Sequence, residues 1–165
     1  MFEFRFLTQT FYDDYPDPPY HEIERKSLRP YTIVFVDIGS YKFALPLRSH
    51  IFHSFAYFTD KQNHCGIDYS KAVYISKMEY IDYTTAPHIR QDEFNRLRGK
   101  EYIVYRNFIK YIKSYSEAKR SGDPNKLKDF DYSTLPYFEN LINYNDDILK
   151  PLGLYDDNIK VVNPV

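Results

Sequence analysis

Cysteine, tryptophan and long apolar runs are what this sequence has least of. The 165 residues include one Cys and no Trp, and no apolar run approaches the length that a bilayer requires. The lone Cys65 cannot form an internal disulfide, which favours a reducing compartment. Because the chain also shows no charged-then-apolar leader, we expect a soluble cytoplasmic protein with no membrane partner.

Aromatic side chains and segregated charge are what the chain has in excess. It holds 18 Tyr and 13 Phe, so rings should supply much of a single core, for which 165 residues suffice. The net charge is only -1, but residues 25–128 carry 19 Lys and Arg against 10 Asp and Glu, and both ends are acidic. A basic surface for nucleic acid is therefore compatible with a neutral protein.

Period-two patterns in the first half predict strands. Phe2, Phe4 and Phe6 alternate with polar residues, which indicates a half-buried strand. Residues 30–53 contain a hairpin pattern, in which two apolar runs flank a Gly39-Ser40 turn. Further strands are predicted at residues 67–75 and 78–83, and polar loops at 16–29 and 54–64.

Helical spacing replaces the period-two pattern from about residue 92. Apolar residues recur at steps of three and four as far as Tyr115, and the pattern leaves open whether Gly99 divides this stretch into two helices. The Ser-Gly-Asp-Pro sequence at 121–124 should end it. The chain is therefore predicted to be a single α+β domain, residues 1–165.

A last helix is predicted from Ser133-Thr134, with Pro136 in its first turn. Its inward side chains should be Phe138, Leu141 and Ile142. Residues 146–165 are predicted to form an irregular acidic tail.

The polar residues that follow the hairpin are the clearest candidate for a site. Arg48, Ser49, His50 and His53 come directly after the second run, where loops on rigid scaffolds often carry function. A guanidinium matches phosphate oxygens, a hydroxyl can hydrogen-bond to one, and imidazole readily exchanges a proton near neutral pH. These groups suit the cleavage of RNA by its own 2′-hydroxyl.

Each of these residues also has a structural interpretation. His50 and His53 can be ordinary loop histidines, and Ser49 can simply end a strand. A zinc site made of His50, His53, His64 and Cys65 would match no standard ligand spacing. No metal or other cofactor is therefore expected.

Residues 36–49 read Val-Asp-Ile-Gly-Ser-Tyr-Lys-Phe-Ala-Leu-Pro-Leu-Arg-Ser. This stretch, and the order of predicted elements over about residues 1–145, resemble the protein toxins of type III toxin–antitoxin systems, the ToxN, CptN and AbiQ endoribonuclease family. The CptN branch is the most similar. The resemblance implies a compact SH3-like antiparallel β-barrel, of the kind shared with the CcdB, Kid and MazF toxins, with a long helix and a C-terminal helix packed on it.

The resemblance also implies a function. The expected activity is metal-independent, sequence-preferring cleavage of single-stranded RNA, which leaves a 2′,3′-cyclic phosphate. The expected partner is a small antitoxin RNA made of repeats and folded as a pseudoknot, which inhibits the toxin and assembles with it into a protein–RNA oligomer.

Site residues implied by the resemblance are assigned position by position. Ser49 matches the second of two hydroxyl residues that follow the hairpin, whereas Arg48 stands where ToxN has Thr. Arg29 falls where ToxN has Lys, and Tyr12 and Tyr20 are candidates for the tyrosines of the N-terminal segment. An Arg does not lose its proton in a protein, so Arg48 cannot be the general base.

A non-catalytic RNA- or DNA-binding module of barrel type is the alternative. Its basic side chains would bind phosphates and its tyrosines would stack bases. Tandem short repeats in the DNA upstream of the reading frame would favour the toxin. For either function, the predicted RNA-binding residues are Arg25, Lys26, Lys61, Lys110 and Lys113, although the two helix lysines can also form a solvated face.

Overall fold

The computed structural model describes residues 2–25, 33–38 and 41–144. Seven strands and four α-helices lie in these ranges. The strands are β1 (Phe4–Leu7), β2 (Ile33–Ile38), β3 (Tyr41–Arg48), β4 (Ala56–Asp60), β5 (Cys65–Asp68), β6 (Val73–Tyr74) and β7 (Ile81–Asp82). The α-helices are α1 (Gln9–Asp14), α2 (Gln91–Leu97), α3 (Glu101–Ser121) and α4 (Pro124–Lys128), and 3-10 helices lie at Tyr69–Lys71, Met78–Tyr80 and Leu135–Phe138.

The strands pair antiparallel in the order β4-β5-β3-β2-β1-β7, with β6 also beside β3. β3 is central because it pairs with β2 along one edge and with β6 and then β5 along the other. The predicted hairpin and the α+β class are therefore confirmed, although the Gly39-Ser40 turn lies outside the described residues. Among the described strands the order does not close into a barrel, and β4 and β7 are its two ends.

The predicted strand over residues 67–75 is wrong, because a 3-10 helix interrupts it. β5 ends at Asp68, whose carboxylate accepts the backbone N–H of Ser70 at 2.9 Å and so caps the 3-10 helix at Tyr69–Lys71. The pairing register along β3 shifts by three residues between β5 and β6. A side-chain cap thus overrides a run that strand propensity would continue.

Two further predictions in this region need correction. The predicted loop at 54–64 contains β4, an edge strand that pairs with β5 and buries Thr59. The predicted strand at 78–83 is mostly the 3-10 helix Met78–Tyr80, and β7 has two residues. Both elements are short, and their tertiary pairing decides their conformation more than their own residues do.

Glycines end the helices of the second half. Gly99 has φ +72° and separates α2 from α3, so the predicted helical stretch is two helices. Gly122 has φ +62° and ends α3, as predicted. Directly after it, the Asp123 carboxylate accepts the N–H of Asn125 at 2.9 Å and begins α4, a helix that was not predicted although Asp-Pro is a helix start signal.

The last predicted helix is a 3-10 helix, Leu135–Phe138, with Pro136 in its first turn. Phe138 and Ile142 are buried as predicted, but Leu141 is 51% exposed. The helix is too short to carry the predicted inward face as far as Leu141. The predicted tail at 146–165 lies outside the described residues.

The long helix α3 lays an aromatic face against the sheet. Phe108 packs its ring 5.3 Å from that of Phe43 and 5.9 Å from that of Tyr69. Farther along α3, Tyr111 donates its hydroxyl to Ser133 Oγ at 2.7 Å. The Tyr111 phenol thus keeps a hydrogen-bond partner while its ring fills the core. None of the described helices has both the length and the apolar character needed to cross a bilayer.

Of the three glycines that the structure describes, Gly66 should be the least tolerant of a side chain. It lies in β5 between β3 and β4, where an added Cβ would be 2.1 Å from the carbonyl oxygen of Tyr57. A strand backbone has little room to shift, so we expect Gly66→Ala to lower the free energy of unfolding by about 3 kcal/mol or more. Urea denaturation followed by circular dichroism measures this loss.

The matched control is Gly99→Ala. A Cβ there would meet nothing within 4 Å, so only its positive φ should count, at about 1–2 kcal/mol. Equal losses in the two variants would contradict the tight packing at Gly66.

Candidate active site

The segment 49–53 leaves the end of β3 and is pinned to the turn between β4 and β5. Ile51 is its anchor, with a side chain only 1% exposed. The Ile51 backbone N–H donates to the carbonyl oxygen of His64 at 3.1 Å. Of the neighbouring side chains, His50 and Phe52 are exposed and Ser49 is half-buried.

Ser49 and His50 form a hydroxyl–imidazole pair at this surface. Ser49 Oγ lies 3.0 Å from His50 Nδ1. His50 has φ +62°, a left-handed backbone conformation that is uncommon for a residue other than glycine. A hydroxyl in hydrogen-bond contact with an accessible imidazole is an arrangement that can transfer a proton to or from a bound substrate.

His53 has a different environment, although it lies in the same segment. Its Nδ1 accepts the backbone N–H of Phe55 at 3.2 Å. Its Nε2 lies 3.2 Å from Ser70 Oγ and 3.4 Å from the Asp68 carboxylate. With Nδ1 acting as an acceptor, the neutral ring carries its proton on Nε2, facing Ser70 and Asp68. Both ring nitrogens of His53 are therefore engaged within the protein.

Arg48 belongs to the same internal group. Its guanidinium lies between two carboxylates, with Nη1 2.5 Å from Asp68 and Nη2 in contact with Glu24. The side chain is only 13% exposed. We call Glu24, Arg48, His53, Asp68 and Ser70 the Asp68 cluster. The two carboxylates offset the Arg48 charge within the protein. A role for the Arg48 guanidinium in phosphate binding stays a prediction.

Asp68 is the fully buried member of this cluster. Burial raises the pKa of its carboxyl group, but hydrogen bonds from His53 and Ser70, with the charge of Arg48, outweigh burial and hold the pKa below its usual value. The carboxylate is therefore ionised at neutral pH and cannot serve as a general acid.

The two predicted tyrosines lie in aromatic surroundings. The Arg25 guanidinium lies 5.6 Å from the ring centre of Tyr12, and burial raises the pKa of Tyr12 although Arg25 opposes the shift. The Tyr20 ring packs edge-on against Tyr15 and Tyr137. The structure thus joins Tyr12 to Arg25 and makes Tyr20 part of the aromatic core, and a catalytic role for either hydroxyl stays a prediction.

The predicted RNA-binding lysines that the structure describes lie on two elements, the turn between β4 and β5 and the helix α3. Lys61 is exposed in the turn between β4 and β5, where its carbonyl oxygen accepts the N–H of His64 at 3.3 Å. Lys110 lines a cleft of about 230 Å³ beside α3, and Lys113 lies 3.9 Å from Glu117. Only Lys61 shares a turn with a residue bonded to segment 49–53. Lys26 and Arg29 lie outside the described residues.

The sequence patterns do not single out Glu24, Phe52, Asp68 or Ser70, and they indicate His64 only as a ligand of the rejected zinc site. The Asp-x-Ser spacing of Asp68 and Ser70 is a capping signal that was available. Phe52 and His64 carry no such signal, because an exposed ring cannot be distinguished from a buried one without knowing which side of the segment Ile51 anchors.

In the part of the chain that the structure describes, no group of three or more His, Cys, Asp or Glu side chains is arranged to hold a metal ion. Comparisons of the chain with protein-family models, curated proteins and solved structures found no match. The chemistry of the site therefore has to be argued from its own geometry.

Replacement of Asp68 should change how stability depends on pH. Because its folded-state pKa is below the ordinary 3.8, Asp68 stabilises the fold above that value and loses this effect as the pH falls through the folded-state pKa. We expect Asp68→Asn to lower the free energy of unfolding by about 3 kcal/mol at pH 7, because a buried ion pair is broken. Urea denaturation at a series of pH values measures the difference.

The difference between Asp68→Asn and the parent protein should shrink below pH 3.8. Glu117→Gln is the control, since its pair with Lys113 is exposed and should contribute less than about 1 kcal/mol. A stability difference that stays constant down to strongly acidic pH would contradict an ionised Asp68.

Proposed function

We propose that this protein is a metal-independent endoribonuclease that cuts single-stranded RNA at the surface formed by segment 49–53. The observation that carries the proposal is the 3.0 Å contact between Ser49 Oγ and His50 Nδ1 at the end of β3. The pair lies at the end of the stretch 36–49, on which the resemblance to RNA-cleaving toxins rests.

The proposed reaction is a transfer of the phosphoryl group within the RNA. With its proton on Nδ1, the His50 imidazole donates to Ser49 Oγ, and its Nε2 accepts the proton of the 2′-hydroxyl. The 2′-oxygen then bonds to phosphorus as the bond from phosphorus to the 5′-oxygen breaks. The Ser49 hydroxyl donates to a phosphate oxygen as negative charge develops, and the 5′-oxygen takes a proton from water. The hydroxide that remains takes the proton from His50 Nε2, which restores the neutral imidazole and one water molecule.

The biological role in this proposal is that of a toxin of a type III toxin–antitoxin system in the cytoplasm. It rests on the resemblance of residues 36–49 and on the excess of basic residues between 25 and 128. The inhibitor would be a small repeat RNA folded as a pseudoknot, bound in a protein–RNA oligomer. An SH3-like arrangement of the strands belongs to the same proposal, open between β4 and β7 among the described strands and with the hairpin β2–β3 as its centre.

A non-catalytic RNA-binding module is the competing function. Two exposed groups near the candidate site, Lys61 and Phe52, would serve it equally well. The two functions differ in one measurable property, which is whether the purified protein cuts RNA.

Ser49→Ala should abolish most RNA cleavage and leave the fold intact. A half-buried hydroxyl contributes little to stability, whereas losing its hydrogen bond to a developing oxyanion should lower the rate roughly 10²-fold or more. Single-turnover cleavage of a short RNA by the purified protein, in EDTA, measures the rate. The upstream product should carry a 2′,3′-cyclic phosphate.

Ser76→Ala is the matched control for Ser49→Ala. Ser76 is exposed and follows Ile75, whose N–H donates to Lys42 at the opposite end of β3 from Ser49. The Ser76→Ala protein should cleave the RNA at the same rate as the parent protein. If the parent chain, folded by circular dichroism, cuts no RNA or needs a metal to do so, the proposed nuclease is wrong.

His50 and His53 should fail in different ways when replaced. His50→Ala should lower the cleavage rate about 10²- to 10⁴-fold with little loss of stability, because an exposed acid–base group is removed. His53→Ala should instead lower the free energy of unfolding by about 1–2 kcal/mol, because it leaves buried partners unsatisfied. Single-turnover rates and urea denaturation of both variants provide the comparison. A rate loss confined to His53→Ala would assign the proton transfer to His53.

A further inference from the structure

Phe52 presents its ring to solvent beside the candidate active site. Its side chain is 74% exposed. The ring centre lies 4.6 Å from that of the His64 imidazole, at an interplanar angle of 45°, and 6.4 Å from that of His50. We call these three side chains, His50, Phe52 and His64, the aromatic patch.

The backbone holds the aromatic patch in a defined arrangement. His50 and His64 both have left-handed conformations, with φ +62° and +53°, which cost an L-residue about 1–2 kcal/mol each. Ile51 follows His50 in the sequence, and its side chain is buried. Its backbone N–H donates to the carbonyl oxygen of His64, which joins the two segments. Non-glycine residues in such conformations occur often at functional sites. The fold therefore holds the two backbone segments that carry the patch next to each other.

We propose that the aromatic patch stacks an unpaired base of single-stranded RNA, next to the phosphate on which Ser49 and His50 act. This inference rests on the proposed nuclease function and names how the substrate is held. His50 belongs both to the patch and to the pair with Ser49. A base on Phe52 would therefore place its own or the adjacent phosphate beside the Ser49 hydroxyl.

A nucleotide fits this surface better than an apolar protein partner does. Phe52 is one apolar ring beside two imidazoles, whereas protein-binding patches are larger and contiguous. Stacking on one ring can hold any of the four bases, because every base has a flat face. Lys61, in the same turn as His64, supplies a cation for the phosphate backbone.

The test measures binding in full-length protein that carries Ser49→Ala, so that the RNA stays intact. The probe is a short single-stranded RNA with 2-aminopurine in place of one base, and stacking on the protein should change its fluorescence. Adding Phe52→Ala should weaken binding roughly 5- to 100-fold and remove the fluorescence change at the stacked position. Phe52→Tyr and Phe52→Trp should retain both.

Two further variants separate stacking from other effects of the substitution. Phe52→Leu keeps an apolar side chain without a flat ring, so it should bind as weakly as Phe52→Ala. Tyr132→Ala removes a ring that is also 74% exposed but lies outside the aromatic patch. The protein with this substitution should bind RNA as tightly as the Ser49→Ala protein without it. Thermal unfolding midpoints should be nearly equal in all variants, because each ring is mostly in water.

The outcomes distinguish this inference from the proposed function. If Phe52→Ala binds as tightly as the parent, or Phe52→Leu binds as well as Phe52→Tyr, base stacking at Phe52 is wrong, while cleavage that depends on Ser49 can still stand. If the Ser49→Ala protein binds no single-stranded RNA and the parent chain cuts none, the stacking site falls together with the nuclease.

Discussion

The buried carboxylate of Asp68 is the interaction on which the region around the candidate site depends. It accepts the N–H and the hydroxyl of Ser70, pairs with Arg48 and lies 3.4 Å from His53. An isolated charge at a fully buried position would cost several kcal/mol, so each of these partners is needed. Through Arg48 the cluster also reaches Glu24, and it thereby ties the segment before β2 to the end of β3.

The Asp68 cluster binds two of the four neighbouring polar side chains and leaves the other two at the surface. Arg48 and His53 turn inward to Asp68, whereas Ser49 and His50 stay in contact with each other at the surface. The Arg48 charge is offset by the carboxylates of Glu24 and Asp68. Lys61, in contrast, is exposed in the turn that carries His64 of the aromatic patch. The chemistry proposed for this protein accordingly uses a hydroxyl and an imidazole.

Ion pairs between the basic middle of the chain and its acidic N-terminal end offset part of the charge segregation along the sequence. Lys71 is buried, contacts Glu22 and donates to the carbonyl oxygen of Tyr132 at 2.8 Å. Arg48 pairs with Glu24 in a similar way. Cations from the basic middle of the sequence are thus balanced by acids from its N-terminal end, and these cations do not contribute to a basic surface. The lysines that remain exposed include Lys61 and Lys110.

By itself the sequence determined the hairpin, the aromatic core and the end of α3, because these depend on local backbone preference and on the period of apolar residues. The cap from Asp68 that interrupts residues 67–75 also has a local sequence signal. Only the tertiary structure decided that Gly99 separates two helices and which of Arg48, His50 and His53 face solvent. The physical reason is that Asp68, 20 residues after Arg48, reaches the end of β3 only when β5 pairs with it. A buried charge then selects its partners by distance, which local sequence patterns do not contain.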